Sequence, residues 1–352
     1  MKKLFLSLVA AIVAATATYA QSSLVATLSH EGVTTAYYGV NAFSQAYSAA
    51  ADGDVITLSP GTFSAVNIYK AVVIRGAGMK TDTVKNRLRT TILGEFTIVD
   101  PSQTTNHRLS MEGLYINDDI CISKLTNASF IKCRFAKISY GYQVYPKWEK
   151  LSFVNCLITT AITLYEGSVF CKNCYVRDAF VTSSSNNPSF EFTNCIIIND
   201  EEPISYSNAT EYVELYDIRY SSFYNCIIYG ASTSTGGSVD NILPSSNVAS
   251  YCIGFTKNDT NVFSNIPTYH NTEVKDDFYT IFEDFTGPYT DDVTFKLTDN
   301  AKSKYKGHDG TEVGIYGGEL PYNPTSSIPQ ITQFDVEKNA ANGKLTVKIN
   351  VE

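Results

Sequence analysis

The sequence predicts an all-β chain, and within that class a right-handed parallel β-helix: a solenoid of short strands with a short N-terminal capping helix and a hairpin-like C-terminal tail. Three observations carry this prediction. A short phrase centred on Asn-Cys recurs through the middle of the 352-residue chain. The composition favours strands, with 24 Tyr and 19 Phe but one Trp, and only 18% charged residues. Strand-length apolar runs alternate with Gly, Pro and Asn turn signals.

The phrase appears as Phe130-Ile-Lys-Cys133-Arg-Phe135, Phe153-Val-Asn-Cys156-Leu-Ile158, Cys171-Lys-Asn-Cys174-Tyr-Val176, Phe192-Thr-Asn-Cys195-Ile-Ile197 and Phe223-Tyr-Asn-Cys226-Ile-Ile228, with a weaker copy at Ala249-Ser-Tyr-Cys252-Ile-Gly254. Successive cysteines lie 23, 18, 21, 31 and 26 residues apart, the elastic period of a solenoid whose turns carry loops of unequal length. Cys and the apolar residue two positions on share one strand face. Phe, three positions before Cys, has the wrong parity for a straight strand, so a bend at the residue before Cys must return it to the interior. Asn155, Asn173, Asn194 and Asn225 occupy that bend, where Asn tolerates a left-handed backbone. Stacked, they predict an amide ladder beside Cys and Phe ladders.

Eight cysteines in an exported chain admit disulfides. Their place in stacks otherwise filled by Ile, Val and Phe favours free, buried thiols, because side chains on adjacent rungs run parallel and approach poorly for an S–S bond. Cys171 and Cys174 form a C-x-x-C, but Cys171 stands where other repeats have Phe, and the four histidines are scattered at 30, 107, 270 and 308.

Residues 1–20 read as a secretory signal: Lys2 and Lys3, an apolar run from Leu4 to Ala17, and small residues at Thr18 and Ala20. Export follows, to the periplasm, the cell surface or the medium, and the source is expected to be bacterial. No Cys sits there to take a lipid anchor, and no later stretch reaches the roughly 20 apolar residues of a spanning helix. Cleavage after Ala20 takes the formal charge from -8 to -10, which argues against a nucleic-acid partner.

The solenoid domain is expected over residues 21–320. Asn41 is placed to cap a helix from Ala42 to about Ala51, whose Phe43, Ala46, Tyr47 and Ala50 share a face that can close the open end of the stack. Asp52-Gly-Asp54 turns the chain into Val55-Ile-Thr-Leu58, Pro60-Gly61 turns it again, and Val72-Val-Ile74 and Thr91-Ile-Leu93 continue as strands. The segment from Ala50 to Phe63, with Val73-Ile-Arg-Gly-Ala-Gly78 and Thr91-Ile-Leu-Gly94, resembles the N-terminal coils of the pectin-lyase-like β-helix superfamily. Asp292 to Ala301, Gly307-His-Asp-Gly310 and Val313-Gly-Ile-Tyr-Gly-Gly318 are similar to the closing segment of secreted bacterial β-helix proteins. The resemblance spans roughly residues 36 to 318 and specifies fold better than activity. Residues 321–352 read as a Pro-marked linker and a β tail, with Leu345, Val347, Ile349 and Val351 alternating and Asn342-Gly343 as a hairpin turn.

The resemblance implies polysaccharide lyases, glycoside hydrolases, esterases or non-catalytic surface proteins. Asn117-Asp118-Asp119 is similar to the hydrolases' Asp-rich signatures, yet the companion Gly-His-Gly and Arg-Ile-Lys segments are absent, and a solvated turn explains it better. One constellation can carry chemistry. Arg177 and Asp178 lie three and four residues after Cys174, and Asn199 and Asp200 four and five after Cys195, so stacked coils put them on neighbouring rungs of one face, with Glu201, Glu202 and Arg219 nearby. Asp178, Asp200 and Glu201 on one face can hold Ca²⁺, and Arg177 or Arg219 can bind a uronate or take a proton. An acidic turn with an exposed ion pair is the plain alternative. The insert Tyr140-Gly-Tyr142-Gln-Val-Tyr145-Pro-Lys147-Trp148-Glu-Lys150 holds the only Trp, and Tyr140, Tyr142, Tyr145, Trp148 and Lys150 suit a glycan platform, or a loop folded on the flank. Glu211 to Tyr220 has the same character. The expected function is a non-catalytic exported protein that binds polysaccharide or surface glycan. The rivals are a lyase or glycosidase acting on acidic polysaccharide through Asp178 and Asp200, and a structural spacer or adhesin.

Overall fold

The computed structural model describes residues 24–351, apart from residues 86, 102–106, 141–145, 183–187, 200–205, 209–210, 214, 231–242, 244, 257–260, 268, 276, 328–330 and 339–344. The chain is all-β in character. A single 25-stranded, mostly parallel sheet dominates it, and short strands pair with counterparts roughly one repeat further along the chain.

The pairings resolve into three parallel stacks. The first runs from Val55–Leu58 through Val73–Arg75, Ser110–Glu112, Ser129–Ile131 and Lys147–Val154 to Gly167–Lys172, Ser189–Thr193, Ser222–Tyr224 and Val248–Ser250. The second begins at Gly61–Ser64 and Thr90–Leu93, then includes Tyr175–Arg177, Ile196–Asn199, Ile227–Gly230 and Ile253–Thr256 and ends at Thr272–Val274. The third holds Phe96–Val99 and Ile120–Thr126 and finishes with Ala179–Thr182, to which Leu215–Asp217 adds antiparallel. This arrangement is compatible with a β-helix.

The bend before Cys joins the first stack to the second. Lys132, Asn155, Asn173, Asn194, Asn225 and Tyr251 all have φ between 51 and 56°, in the left-handed region where Asn is least strained. With that bend in place Phe130, Phe153, Phe192 and Phe223 turn inward together with Cys133, Cys156, Cys174, Cys195, Cys226 and Cys252. Phe130 stacks on Phe153 with centroids 4.8 Å apart, and Phe192 on Phe223 at 5.2 Å, close to the rung spacing of a sheet. None of the eight cysteines is disulfide-bonded, and all except Cys121 are buried. The thiols mend the backbone at the bend. Cys156 N donates to Cys174 Sγ at 3.3 Å, while Cys156 Sγ lies 3.3 Å from the Phe130 carbonyl, and the Cys195, Cys226 and Cys252 rungs continue the pattern. Burial pushes the Cys133 thiol up to about 12.

The N-terminal end is closed by more than a helix. Strand β1 (Val25–His30) pairs antiparallel with Val55–Leu58 on one side and with β2 (Val33–Tyr38) on the other. Helix α1 (Ala42–Ala49) lays Ala42, Phe43, Ala46 and Tyr47 on the core as expected but stops short of Ala51. Asn41 makes no side-chain cap bond: at ψ 7° it belongs to the turn that follows Gly39, not to an extended N-cap. At the far end Val262, Phe263 and Ile266 fold over the core, and Glu273 accepts from the Val262 and Phe263 amides at 3.1 and 2.7 Å.

The segment expected to close the stack does something else. Residues from Phe278 to Tyr322 form a second core against the outward side chains Leu157, Tyr175, Ile196, Ile227 and Ile253 of the second stack. Tyr175 stacks on Phe295 at 4.5 Å, and Tyr229 on Phe278 at 4.4 Å. Helix α2 (Asp299–Lys304), N-capped by Thr298, lies within this layer. The glycine-rich run then travels back along the Asn bends as a strap. His308 N donates to Asn225 Oδ1 at 2.9 Å, Asn173 Nδ2 donates to the Ile315 and Gly317 carbonyls at 2.9 and 2.8 Å, and Asn323 N donates to Asn155 Oδ1 at 2.9 Å. Lys132 Nζ then reaches Thr325 O, and Ser326 Oγ reaches Gly76 O. Gly318 has φ 75°, and a Cβ there would lie 2.2 Å from Asn194 Nδ2, so the strap can approach only as glycine. Asp291 clamps the same layer to the early strands: Arg89 holds one carboxylate oxygen at 2.9 Å, Arg134 holds the other, and both guanidiniums lie over the Tyr115 ring. Ile331–Lys338 and Leu345–Val351 pair antiparallel as the tail hairpin, with Asn342-Gly343 outside the described residues.

Candidate functional site

The repeat register fixes what each outer face presents. In the first stack the residues four and two before Cys point away from the core, and across the later repeats their parallel register aligns them into two rows. One row reads Ser129, Ser152, Phe170, Glu191, Ser222 and Val248. The other reads Ile131, Val154, Lys172, Thr193, Tyr224 and Ser250, with Tyr269 bridged beyond. The second stack's outward side chains lie beneath the C-terminal layer, whereas this face is open.

A shallow groove of about 340 Å³ crosses four rungs of the open face, lined by Phe170, Glu191, Tyr220, Val248 and a set of serines that includes Ser168, Ser189 and Ser222. Tyr220 is its most prominent ring, 50% exposed, at a left-handed backbone position with φ 51°. Its neighbours fix the backbone beside it. Buried Ser221 donates through Oγ to Arg219 O at 2.7 Å and accepts from Phe190 N at 2.9 Å, while buried Asn247 accepts from Ser221 N at 2.9 Å and donates to Ile218 O at 2.8 Å. The ring therefore projects from a backbone corner whose neighbours are hydrogen-bonded, which limits the ordering cost of a contact made there. Beside the groove, Tyr251 stacks on His270 at 4.9 Å and meets His308 edge-on at 4.7 Å, with Tyr224 6.0 Å away, extending the aromatic surface toward the strap.

The residues chosen from the sequence are distributed differently. Trp148 is 1% exposed, and its indole N–H donates to Ile122 O at 3.1 Å, so it is a core residue and offers no face to a sugar. The cause is a second left-handed bend at Lys150, φ 55°, which lets Trp148 turn inward along with Leu151 and Phe153 on the strand Lys147–Val154. Tyr140 is half-buried, edge-on to Tyr165 at 5.5 Å. Lys150 is exposed, and Tyr142 and Tyr145 lie outside the described residues.

Asp178 is buried at another left-handed bend, φ 45°, its backbone N–H donating to Ile198 O at 2.7 Å and its carbonyl accepting from Ile162 N at 3.0 Å. Arg177 Nε lies 3.3 Å from its carboxylate. Arg219 is half-buried. Asp200, Glu201 and Glu202 lie outside the described residues, and so does any Ca²⁺ site that needs them; among the described residues no group of three His, Cys, Asp or Glu side chains is placed to hold a metal ion. Asp118 accepts from Gly94 N at 2.7 Å, and Asp119 lies 3.8 Å from Lys137, as expected of a turn that bonds its own surroundings. Among the described residues no helix is long and apolar enough to cross a membrane.

Comparison with family models, with curated proteins and with solved structures finds no match to this chain. Any function must therefore be argued from the site. The groove residues were not singled out from the sequence, although the signal existed: positions six and four before each Cys follow from the period-2 register that places Phe and Cys inside.

Proposed function

We propose that the chain is an exported right-handed parallel β-helix of the pectin-lyase-like kind that binds glycan or cell-envelope polysaccharide on its open sheet face without cleaving it. The observation that carries this is the groove itself, which combines an exposed Tyr220, beside a hydrogen-bonded backbone corner, and a second ring at Phe170 with a floor of hydroxyls. Flat rings suit the apolar faces of sugars, and serine hydroxyls exchange hydrogen bonds with theirs. Among the described residues the groove's lining contains one carboxylate, Glu191, and no Arg or Lys. Glycoside hydrolysis uses two carboxylates a few ångströms apart, and proton abstraction from a sugar needs a base beside a cation, so the lining fits retention better than turnover. The open face also presents repeating rows along the stack, as a polymer ligand requires.

A glycan array probed with the purified protein tests this. Binding to a defined set of saccharides is expected, and Tyr220→Ala should weaken it roughly tenfold, the loss of about one aromatic contact. Binding unchanged by Tyr220→Ala and Phe170→Ala, or release of reducing ends or unsaturated uronates, would contradict it. Absence of any saccharide binding would favour a structural spacer.

A further inference from the structure

We infer that the groove selects an uncharged polysaccharide, and that it takes a run of three to four sugar rings laid along the stack of strands. This rests on the binding function proposed above and narrows it to a ligand class, against the acidic polysaccharides that the sequence resemblance implies.

Charge decides the class. The groove's only ionisable lining side chain among the described residues, tyrosine aside, is Glu191, which stands in the middle of its row between Phe170 and Ser222. A uronate bound there would bring a carboxylate against a carboxylate, with no guanidinium or ammonium in the lining to offset the repulsion. Lys172, on the same face, sits in the neighbouring row, in register with Val154 and Thr193, and does not line the groove. The two arginines considered from the sequence do not line the groove: Arg177 pairs with Asp178, and Arg219 is half-buried beside the groove. A formal charge of -8 on the whole chain adds repulsion at long range toward any polyanion. A neutral sugar meets none of this. Its hydroxyls can donate to Glu191 and exchange bonds with Ser168, Ser189 and Ser222, while its rings lie on Phe170 and Tyr220.

Geometry sets the length. The groove crosses four rungs. At about 4.8 Å per rung this is about 14 Å from first to last. One rung is close to the length of one pyranose, so successive rungs can meet successive rings.

Isothermal titration with a length series of uncharged oligosaccharides (cello-, xylo-, manno- and laminari-oligomers) against oligogalacturonates and alginate oligomers tests the inference. Affinity for at least one neutral series should rise from the disaccharide and level off at about four rings. Tyr220→Ala should weaken it roughly tenfold, and Glu191→Gln should weaken it a few-fold, through loss of the charged acceptor for the sugar hydroxyls. Both side chains are exposed, and unchanged melting curves would confirm that the variants fold. Binding confined to the uronate oligomers, and strengthened by Glu191→Gln, would overturn the neutral-ligand inference while leaving a glycan-binding groove in place. Failure of both classes to bind, or neutral binding indifferent to Tyr220→Ala, would overturn the groove's function as well.

Discussion

Gly254 stands where the earlier repeats carry Phe135, Ile158, Val176, Ile197 and Ile228, and the reason is the end of the stack. A Cβ there would come within 2.7 Å of Val262 and 2.8 Å of Phe263, the side chains that close the core after the last repeat. The weakest copy of the phrase is therefore the one shaped to receive a cap. Gly254→Val should destabilise the protein by about 1–3 kcal/mol in urea unfolding, the usual cost of overpacking. At the opposite end, His30 Nδ1 lies 2.8 Å from Asp54, whose carboxylate also accepts from Ala51 N. The hydrogen bond that His30 donates to Asp54, and then the charge of Asp54, raise the His30 pKa above its ordinary value of 6.5. The folded value exceeds the unfolded one, so this contribution is complete below pH 6.5 and is lost as pH rises through the folded value. Thermal melts should show the N-terminal cap weaker at pH 8 than at pH 6. His30→Ala should remove that part of the difference, and an unaltered pH profile in the variant would show that the pair is not responsible.

Among the elements, the Asn bends and the strap depend on each other. The sequence pattern identified the bends correctly, because Asn before Cys and Phe three before Cys can share an interior only if the backbone turns left-handed between them. It did not identify where the amides point. The strap meets them through backbone groups at His308, Ile315, Gly317 and Asn323, and backbone groups leave no residue-type signature. Its glycines were legible as a special segment, but their cause, close approach to Asn194 and its neighbours, required the structure. Trp148 was misjudged for a related reason: Lys150 adopts the left-handed bend without the Asn that would have announced it. Asn173→Ala should cost about 1–3 kcal/mol, because two strap carbonyls lose their donor in a buried site, and limited proteolysis should then cut the strap first. The thiol ladder gives an independent check. In the folded protein a maleimide should label Cys121 alone, and in denaturant all eight cysteines. Fewer than eight in denaturant would reveal a disulfide.

For the whole molecule, the decisive asymmetry is between two outer faces. One is covered by the C-terminal layer and its aromatic core, and the other keeps its rows of Ser, Phe, Glu and Tyr in the open. The general architecture was legible because the repeat carries its own register. The groove was equally encoded, in the positions six and four before Cys, but those positions vary among Ser, Tyr, Phe, Glu and Val and lack the repetition that draws the eye to Cys. Two-dimensional NMR of the labelled protein, titrated with a neutral tetrasaccharide, tests the central claim most directly. The expected shifts cluster at residues 168–170, 189–191, 220–222 and 246–248 and are lost in Tyr220→Ala. Shifts centred instead on Tyr140 to Lys150 or on the Arg177–Asp178 pair, or no shifts with any saccharide, would contradict it.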